Sequence, residues 1–309
     1  MSQRFPTVAV AGATGNLGVP VVKALQNAQP PFRSIVILTR KPIADTSGFA
    51  PNVQVRVVDY ASHDSLVSAL SGVDALVSAM ATQFLGLQDP LLDAAVAAGV
   101  RFFIPSEFGL ASGDPRLVAD FPLFTGKKAL QDRLAALRGA GKLDYALLYV
   151  GLWLDWGLLG GTLMDVRAKK VAFWDGGHRP ISMTTLDSIA KAVVGVLQGQ
   201  VHGRTEVRIK DVNTTQRHLY ELATQVVGAD GWDVTDIDTA QVADAARQKV
   251  ADGTATLHDL YSMVPHAASG EKYGQPWKAD EDLSEALGLQ PWTDDQLLQL
   301  IRKLASSKE

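Results

Sequence analysis

Thr7-Val-Ala-Val-Ala-Gly-Ala-Thr-Gly-Asn-Leu-Gly18 is the stretch on which the fold turns. Its first five residues are an apolar run of strand length, and Gly12, Gly15 and Gly18 then recur at every third position. The segment from Gly18 to Ala28 has the pattern of a helix. A strand, a glycine turn and a helix in that order let backbone approach a pyrophosphate, whose charge faces free N–H groups at the helix start. The alternative is a plain tight turn with no ligand. Further strand–helix alternation downstream favours the phosphate reading.

That alternation is present. Ser34-Ile-Val-Ile-Leu-Thr39 and Val53 to Val58 are expected strands, the former apolar throughout, as a parallel strand covered on both faces should be. Ser62 is placed to cap a helix running to Leu70 and ending at Gly72, ahead of a strand Ala75 to Ala79. Asp89-Pro90 reads as a cap and first-turn proline for a helix ending at Gly99. Arg101 to Ile104, a helix from Phe124 to Leu137, and a strand Tyr145 to Val150 complete the series. The expectation is an α/β fold: a doubly wound parallel Rossmann sheet over residues 1–150, followed by a smaller, mostly helical substrate lobe over 151–309 that partly returns to the first domain. In the second half, Val171 to Trp174 and Thr205 to Ile209 read as strands. Asp187 to Leu197, Thr215 to Val227, Ala240 to Val250 and Leu257 to Met263 read as helices. A final helix opens on the capping box Thr293-Asp-Asp-Gln296, and its charged end beyond Lys303 is expected to fray.

Composition narrows the chemistry. The chain has 309 residues, 29 Lys+Arg against 33 Asp+Glu, and no cysteine. The last point excludes disulfides, a thiol nucleophile, thiolate zinc and iron–sulfur clusters. A net charge of −4 argues against a nucleic-acid partner. The longest apolar run, Tyr145 to Leu154, is too short to span a bilayer, so no membrane partner is expected. The start of the chain runs at once into a strand, so no signal peptide and a cytoplasmic location are expected. The six histidines lack metal-ligand spacing and the carboxylates form no metal signature, so no metal is expected. A homodimer is left open.

The end of the second strand selects the cofactor. An NAD site calls for a carboxylate there, to hold the ribose 2′-hydroxyl. This chain has Thr39-Arg40-Lys41-Pro42 and no carboxylate before Asp45. The Arg40 guanidinium offers paired donors to a 2′-phosphate and Lys41 adds charge, which favours NADP(H) over a merely solvated basic loop. Asp59 either approaches the adenine or caps its loop.

The spacing G-x-x-G-x-x-G looks like the short-chain dehydrogenase/reductase superfamily, yet none of the six tyrosines has a lysine four residues on. The usual Tyr-x-x-x-Lys pair is missing. Phe124-Thr-Gly-Lys127-Lys128 offers a replacement. Leu123, Leu130, Leu134 and Leu137 form an apolar stripe with Lys127 at its edge, while Lys128 points outward to Asp132. A lysine bordering buried surface can serve as acid or base, or can simply snorkel.

Together, Gly12 to Gly18, Arg40, Arg101-Phe-Phe-Ile-Pro-Ser-Glu-Phe-Gly109 and Phe124-x-x-Lys127 resemble the isoflavone reductase and phenylcoumaran benzylic ether reductase group of NmrA-like, atypical short-chain reductases. The resemblance covers about residues 5 to 200, including Asp175 to Ser182 and Asp187 to Ile189. It implies NADPH as hydride donor and Lys127 as catalytic residue. It places Gly12, Thr14, Gly15, Asn16, Leu17, Gly18, Arg40, Lys41, Ser106, Glu107, Phe108 and Lys127 around the cofactor, with Ser106 to Phe108 near the nicotinamide. Two departures matter. The second basic residue of plant members is absent, Asp45, Thr46 and Ser47 standing there, and Gly151 to Trp156 is closer to fungal and bacterial members. Phe108, Trp153 and Trp156 are the expected substrate contacts, in an aromatic group with Tyr149, Phe173 and Trp174 that suits a planar aromatic small molecule of phenolic, quinone or enone type; any single ring reads equally as aromatic core between the two lobes. Two further readings stay open: a sensor that binds NADP without turnover, and a redox-neutral dehydratase or isomerase.

Overall fold

Covered, apolar runs set the architecture of the computed structural model, which describes residues 5–160 and 162–307. Residues Met1 to Arg4 and the last two of the charged tail, Lys308 and Glu309, lie outside the described residues. Six parallel strands form the central sheet: β1 (Thr7–Ala11), β2 (Ser34–Thr39), β3 (Val53–Val57), β4 (Ala75–Ser78), β5 (Phe102–Ile104) and β6 (Asp144–Tyr145). Their spatial order is β3-β2-β1-β4-β5-β6. Strand order therefore reverses between β1 and β4, and in such sheets a crevice opens beyond the carboxyl ends of the strands at that reversal.

The two-residue period of the strands distributes their side chains to two cores. Val8, Val10, Ile35 and Ile37 face α1 (Gly18–Gln26). Ala9, Ala11, Val36 and Leu38 face α2 (His63–Ala69) and α3 (Gln88–Ala97), together with the long helix before β6. That helix is preceded by α4 (Pro115–Asp120) and a 3-10 turn, Pro122–Phe124, and is labelled α5 (Thr125–Gly139). Leu130 and Leu134 of α5 are buried, each burial contributing about 1.5–3 kcal/mol. Leu123 falls in the 3-10 turn and packs on the other lobe.

The strand expected over Tyr145 to Val150 is split. β6 stays in the main sheet, whereas β7 (Leu147–Tyr149) pairs in parallel with a later strand, Glu206–Arg208. Ala146 N–H still donates to Phe103 O, so the break follows that residue. Asp89 is not a cap either. A 3-10 turn, Thr82–Leu87, carries the chain into α3 one residue earlier, and Asp89 binds Arg133 instead. Ser62 does cap α2, accepting from Ser65 N–H at 3.2 Å. Thr293 N–H donates to Gln296 Oε1 at 3.0 Å, as the capping box requires.

Beyond β7 come β8 (Leu152–Trp153), α6 (Leu154–Gly157), β9 (Lys170–Trp174), β10 (Ile181–Thr184) and α7 (Leu186–Leu197). Then follow β11 (Glu206–Arg208), β12 (Val212–Thr214), α8 (Gln216–Val227), β13 (Asp233–Ile237), α9 (Thr239–Ala251), α10 (Leu257–Ser262), α11 (Val264–Ser269) and α12 (Asp294–Ser306). β13 was not expected: it pairs with β9 through its backbone while its side chains are mostly exposed. The cores interleave. Helix α7 returns to pack beside α1 on the main sheet, and Leu110, Leu117, Phe121 and Phe124 belong to the core of the second lobe. No helix among the described residues is long and apolar enough to cross a membrane.

Candidate active site

The glycine loop forms one wall of a cleft of about 520 Å³. Gly12, Ala13, Thr14 and Gly15 line it with Thr39, Arg40 and Lys41 at the end of β2, Ala79 to Ala81 beyond β4, and Tyr60 and Phe84. This is the crevice at the reversal of strand order. Each glycine has its own reason to be there. Gly12 has φ +76°, and a Cβ on it would lie 2.4 Å from Ala79 O. A Cβ on Gly18 would lie 2.0 Å from Gly12 O, so the loop folds tightly on the start of α1. Gly15 differs: its φ is ordinary and a Cβ would meet nothing closer than Gly12 O at 3.3 Å. Protein packing scarcely demands glycine at Gly15, whereas a ligand lying against the loop would. Helix α1 has no side-chain cap; Val19 and Val21 N–H donate to Gly15 O and Leu17 O and position 20 is proline, so the N–H groups left for an anion are those of Asn16, Leu17 and Gly18 where the loop meets the helix. These features fit a dinucleotide pyrophosphate.

Thr14, Gly15 and Asn16 are exposed along the loop, while the Leu17 side chain is buried in the core and has only backbone to offer a ligand. Thr39 Oγ1 donates to Lys41 O at 2.7 Å and holds the turn that projects Arg40 and Lys41. The Arg40 guanidinium lies 4.6 Å from the centre of the Phe84 ring. Tyr60, missed by sequence reasoning, lines the cleft; burial pushes its phenol up to about 12, with the Arg40 cation opposing. Asp59 Oδ1 accepts from Ala61 N–H at 2.9 Å, so it caps its own loop.

The next expected site residues, Pro105 to Gly109 at the end of β5, do not line that cleft, and neither do Lys127, Trp153 or Trp156. Ser106 is buried: its hydroxyl donates to Ser78 O at 2.7 Å and accepts from Met80 N–H at 2.7 Å, tying β5 to the cleft wall beyond β4. Glu107 is also buried, and its side chain points into the protein. Phe108 follows in a left-handed conformation, φ +38°, with its ring buried. That geometry costs a residue with a Cβ roughly 1–2 kcal/mol. Two side chains hold the kink. Lys127 Nζ donates to Glu107 O at 2.7 Å, and Trp153 Nε1 donates to Phe108 O at 2.7 Å.

Lys127 lies in the first turn of α5, where 13% of its side chain stays accessible, and its Nζ is 3.5 Å from Glu107 Oε2. As an ammonium it has three N–H groups, and these two contacts leave one for a further acceptor. Lys128 turns outward and pairs with Asp132. Trp153 and Trp156 meet edge to face at 6.1 Å, and Trp156 is exposed. The expected aromatic wall reduces to these two, because the Phe108 ring is buried in the core. Phe173 packs against Tyr220 inside the second lobe, and Tyr149 and Trp174 are core. Among the described residues no cluster of three or more histidine, aspartate or glutamate side chains could hold a metal ion.

The sheet order, the glycine loop at its reversal and the basic end of β2 define a Rossmann-type dinucleotide-binding fold. The chain belongs to the NmrA-like family, whose model matches residues 5–141. It is 33% identical to quinone oxidoreductase 2 of Escherichia coli (strain K12) over 288 residues, 91% of this chain and 93% of that one. It is 28% identical to the oxidoreductase poxI of Penicillium oxalicum over 248 residues, 79% and 76% of the two chains. Among solved structures, AtPrR2 with NADP+ and (+)pinoresinol superposes with a TM-score of 0.76 at 21% identity, covering 97% of this chain and 100% of that one.

Proposed function

We propose that this protein is an oxidoreductase, an NADPH-dependent reductase of aromatic or conjugated small molecules. The observation that carries this reading is the position of Lys127: anchored on Glu107 O at the end of β5, partly accessible, with an N–H to spare and Trp153 bonded to the next carbonyl, Phe108 O. Supporting it are the names of relatives and neighbours, a quinone oxidoreductase at 33% identity and a structure holding NADP+ with pinoresinol.

On this reading the division of labour falls near residue 150, with nucleotide binding before it and substrate contacts from Trp153 and Trp156 after it. Backbone N–H groups of Gly12 to Gly18 receive the pyrophosphate. Arg40, with Lys41, receives the 2′-phosphate through charge-assisted hydrogen bonds. Bound NADPH supplies a hydride from C4 of its nicotinamide. Trp153 and Trp156 exclude water and hold a planar substrate ring. Lys127 donates a hydrogen bond, and in the reduction a proton from Nζ, to the substrate oxygen that gains negative charge.

The test is NADPH consumption with a panel of quinones, enones and phenolic ethers, repeated on Lys127→Ala. At least one class should oxidise NADPH, and the variant should lose turnover by about a hundredfold or more while NADPH affinity stays within about twofold. Oxidation by no member of the panel would favour a sensor. Undiminished turnover in Lys127→Ala would reject the lysine step.

A further inference from the structure

Glu107 stands where the family resemblance implies a cofactor contact, yet its carboxylate faces the other way. Only 1% of the side chain is accessible. Oε1 accepts from Gln131 Nε2 at 2.9 Å, and Oε2 accepts from Ser112 Oγ with Lys127 Nζ at 3.5 Å. Gln131 Nε2 also reaches Ser112 Oγ at 2.9 Å, closing the network. Lys127 and Gln131 are one helical turn apart on α5, so both present the same face to Glu107. Gly113 makes room: a Cβ there would lie 2.4 Å from Gln131 Oε1 and 3.3 Å from the Tyr149 hydroxyl.

A carboxylate this deep is retained only with partners, because burying an unpaired charge is costly. Two of its three side-chain partners are neutral, and the third is Lys127. The lysine is thus held twice by one residue, through Glu107 O and through the carboxylate. That removes the rotamer freedom of a long, flexible side chain and aims its remaining N–H.

We propose that Glu107 is the positioning residue for Lys127: a buried anion, braced by Ser112 and Gln131, that fixes the lysine's ammonium between the start of α5 and the end of β5. The inference rests on the lysine reading above and goes beyond it, since Glu107 acts without touching cofactor or substrate.

Glu107→Gln keeps the shape and removes the charge. With NADPH and 2-methyl-1,4-naphthoquinone as the probe, kcat should fall about thirtyfold, with KM and NADPH affinity within about threefold. In the Lys127→Ala background the same change should cost less than about twofold, since a residue acting only through Lys127 has nothing left to position. Ethylammonium should restore part of the Lys127→Ala rate while Glu107 is present and not in the double variant. A readout independent of turnover is acylation of Lys127 by an N-hydroxysuccinimide ester, followed by mass spectrometry. Release of the amine in Glu107→Gln should speed it about fivefold or more. Equal acylation rates, or a kcat loss of the same size with and without Lys127, would overturn the proposal. If Glu107→Gln does not fold, Ser112→Ala should give a smaller loss of about three- to tenfold that also vanishes without Lys127. Full activity in Lys127→Ala sinks the lysine reading. An inactive Lys127→Ala beside an intact Glu107→Gln sinks this proposal alone.

Discussion

Substituting alanine at each of the three loop glycines in turn should separate two phenotypes, loss of stability at Gly12 and Gly18 and loss of cofactor binding at Gly15. At Gly12 two costs add. A positive φ of +76° costs a residue with a Cβ roughly 1–2 kcal/mol. The new Cβ would also lie 2.4 Å from Ala79 O and 2.6 Å from its carbonyl carbon, both backbone, and overpacking of that kind costs about 1–3 kcal/mol. The sum is about 2–5 kcal/mol, or a fall in Tm on the order of 10 °C for a chain of this size. At Gly18 alanine gains about 1 kcal/mol of helix propensity. A Cβ 2.0 Å from Gly12 O outweighs that gain, so Gly18→Ala should also lose stability. Gly15→Ala meets only Gly12 O at 3.3 Å and should stay within about 0.5 kcal/mol of the parent. Its Cβ enters the cleft, so NADPH affinity should drop at least about tenfold, or 1.4 kcal/mol. Thermal melts with and without NADPH, together with calorimetric titration, read both quantities. The reasoning fails if Gly15→Ala melts as low as Gly12→Ala without ligand, or if it binds NADPH as tightly as the parent.

Arg40→Ala should bring NADPH affinity down to that for NADH, a loss of at least about tenfold measured by parallel titration; a preserved preference would remove the 2′-phosphate from Arg40. Asp211 gives a pH-dependent test of stability. It is 1% exposed, its Oδ2 accepts from Thr185 N–H and Oγ1 at 2.7 and 2.8 Å, and its Oδ1 has no partner. Burial raises its carboxyl above the ordinary 3.8, against the Thr185 and Ser188 donors. The folded state therefore holds this proton more tightly than the unfolded one, and the stability that follows is lost as pH rises through the raised value. Asp211→Asn should gain stability relative to the parent between pH 4 and pH 8, measured by urea denaturation; a difference running the other way would refute the assignment.

Much of this fold is legible because it rests on short-range rules. Ile35 to Leu38 is an unbroken apolar run with no surface to explain it except two covered faces, and the strand forms over Ser34–Thr39 as expected. Lys128 and Asp132 meet because they are four apart on a helix. The readings that missed depend on partners far along the chain. Asp233 to Ile237 is too polar to read as a strand; its backbone pairs with β9, whose position no local pattern reveals. Asp89 followed by proline has the form of a cap, but the 3-10 turn ahead of it starts the helix first. Glu107 is the instructive case. The family resemblance sets it beside the cofactor, and only the docking of α5, 20 residues later, covers it with Lys127 and Gln131. One signal was readable: Lys127 and Gln131 lie four apart, so any anion bound to one would lie near the other.

The strain at Phe108 connects these elements. A left-handed phenylalanine persists only where its surroundings over-determine it. Here Lys127 takes the carbonyl before Phe108, Trp153 takes its own carbonyl, and the ring is buried in the core on the α1 side of the sheet. Each hydrogen bond contributes about 0.5–1.5 kcal/mol, and burial of the ring about 1.5–3 kcal/mol, enough together to offset the roughly 1–2 kcal/mol of strain. A glycine at this position would adopt the same φ without cost but would forfeit the ring. The kink aims two successive carbonyls at donors from different parts of the chain, α5 and β8. On the proposed function, a substrate ring resting on Trp153 would be registered against Lys127 through two hydrogen bonds and one peptide unit, with no flexible side chain between them. That rigidity is what a proton donor requires if its spare N–H must meet a substrate oxygen to within a few tenths of an ångström.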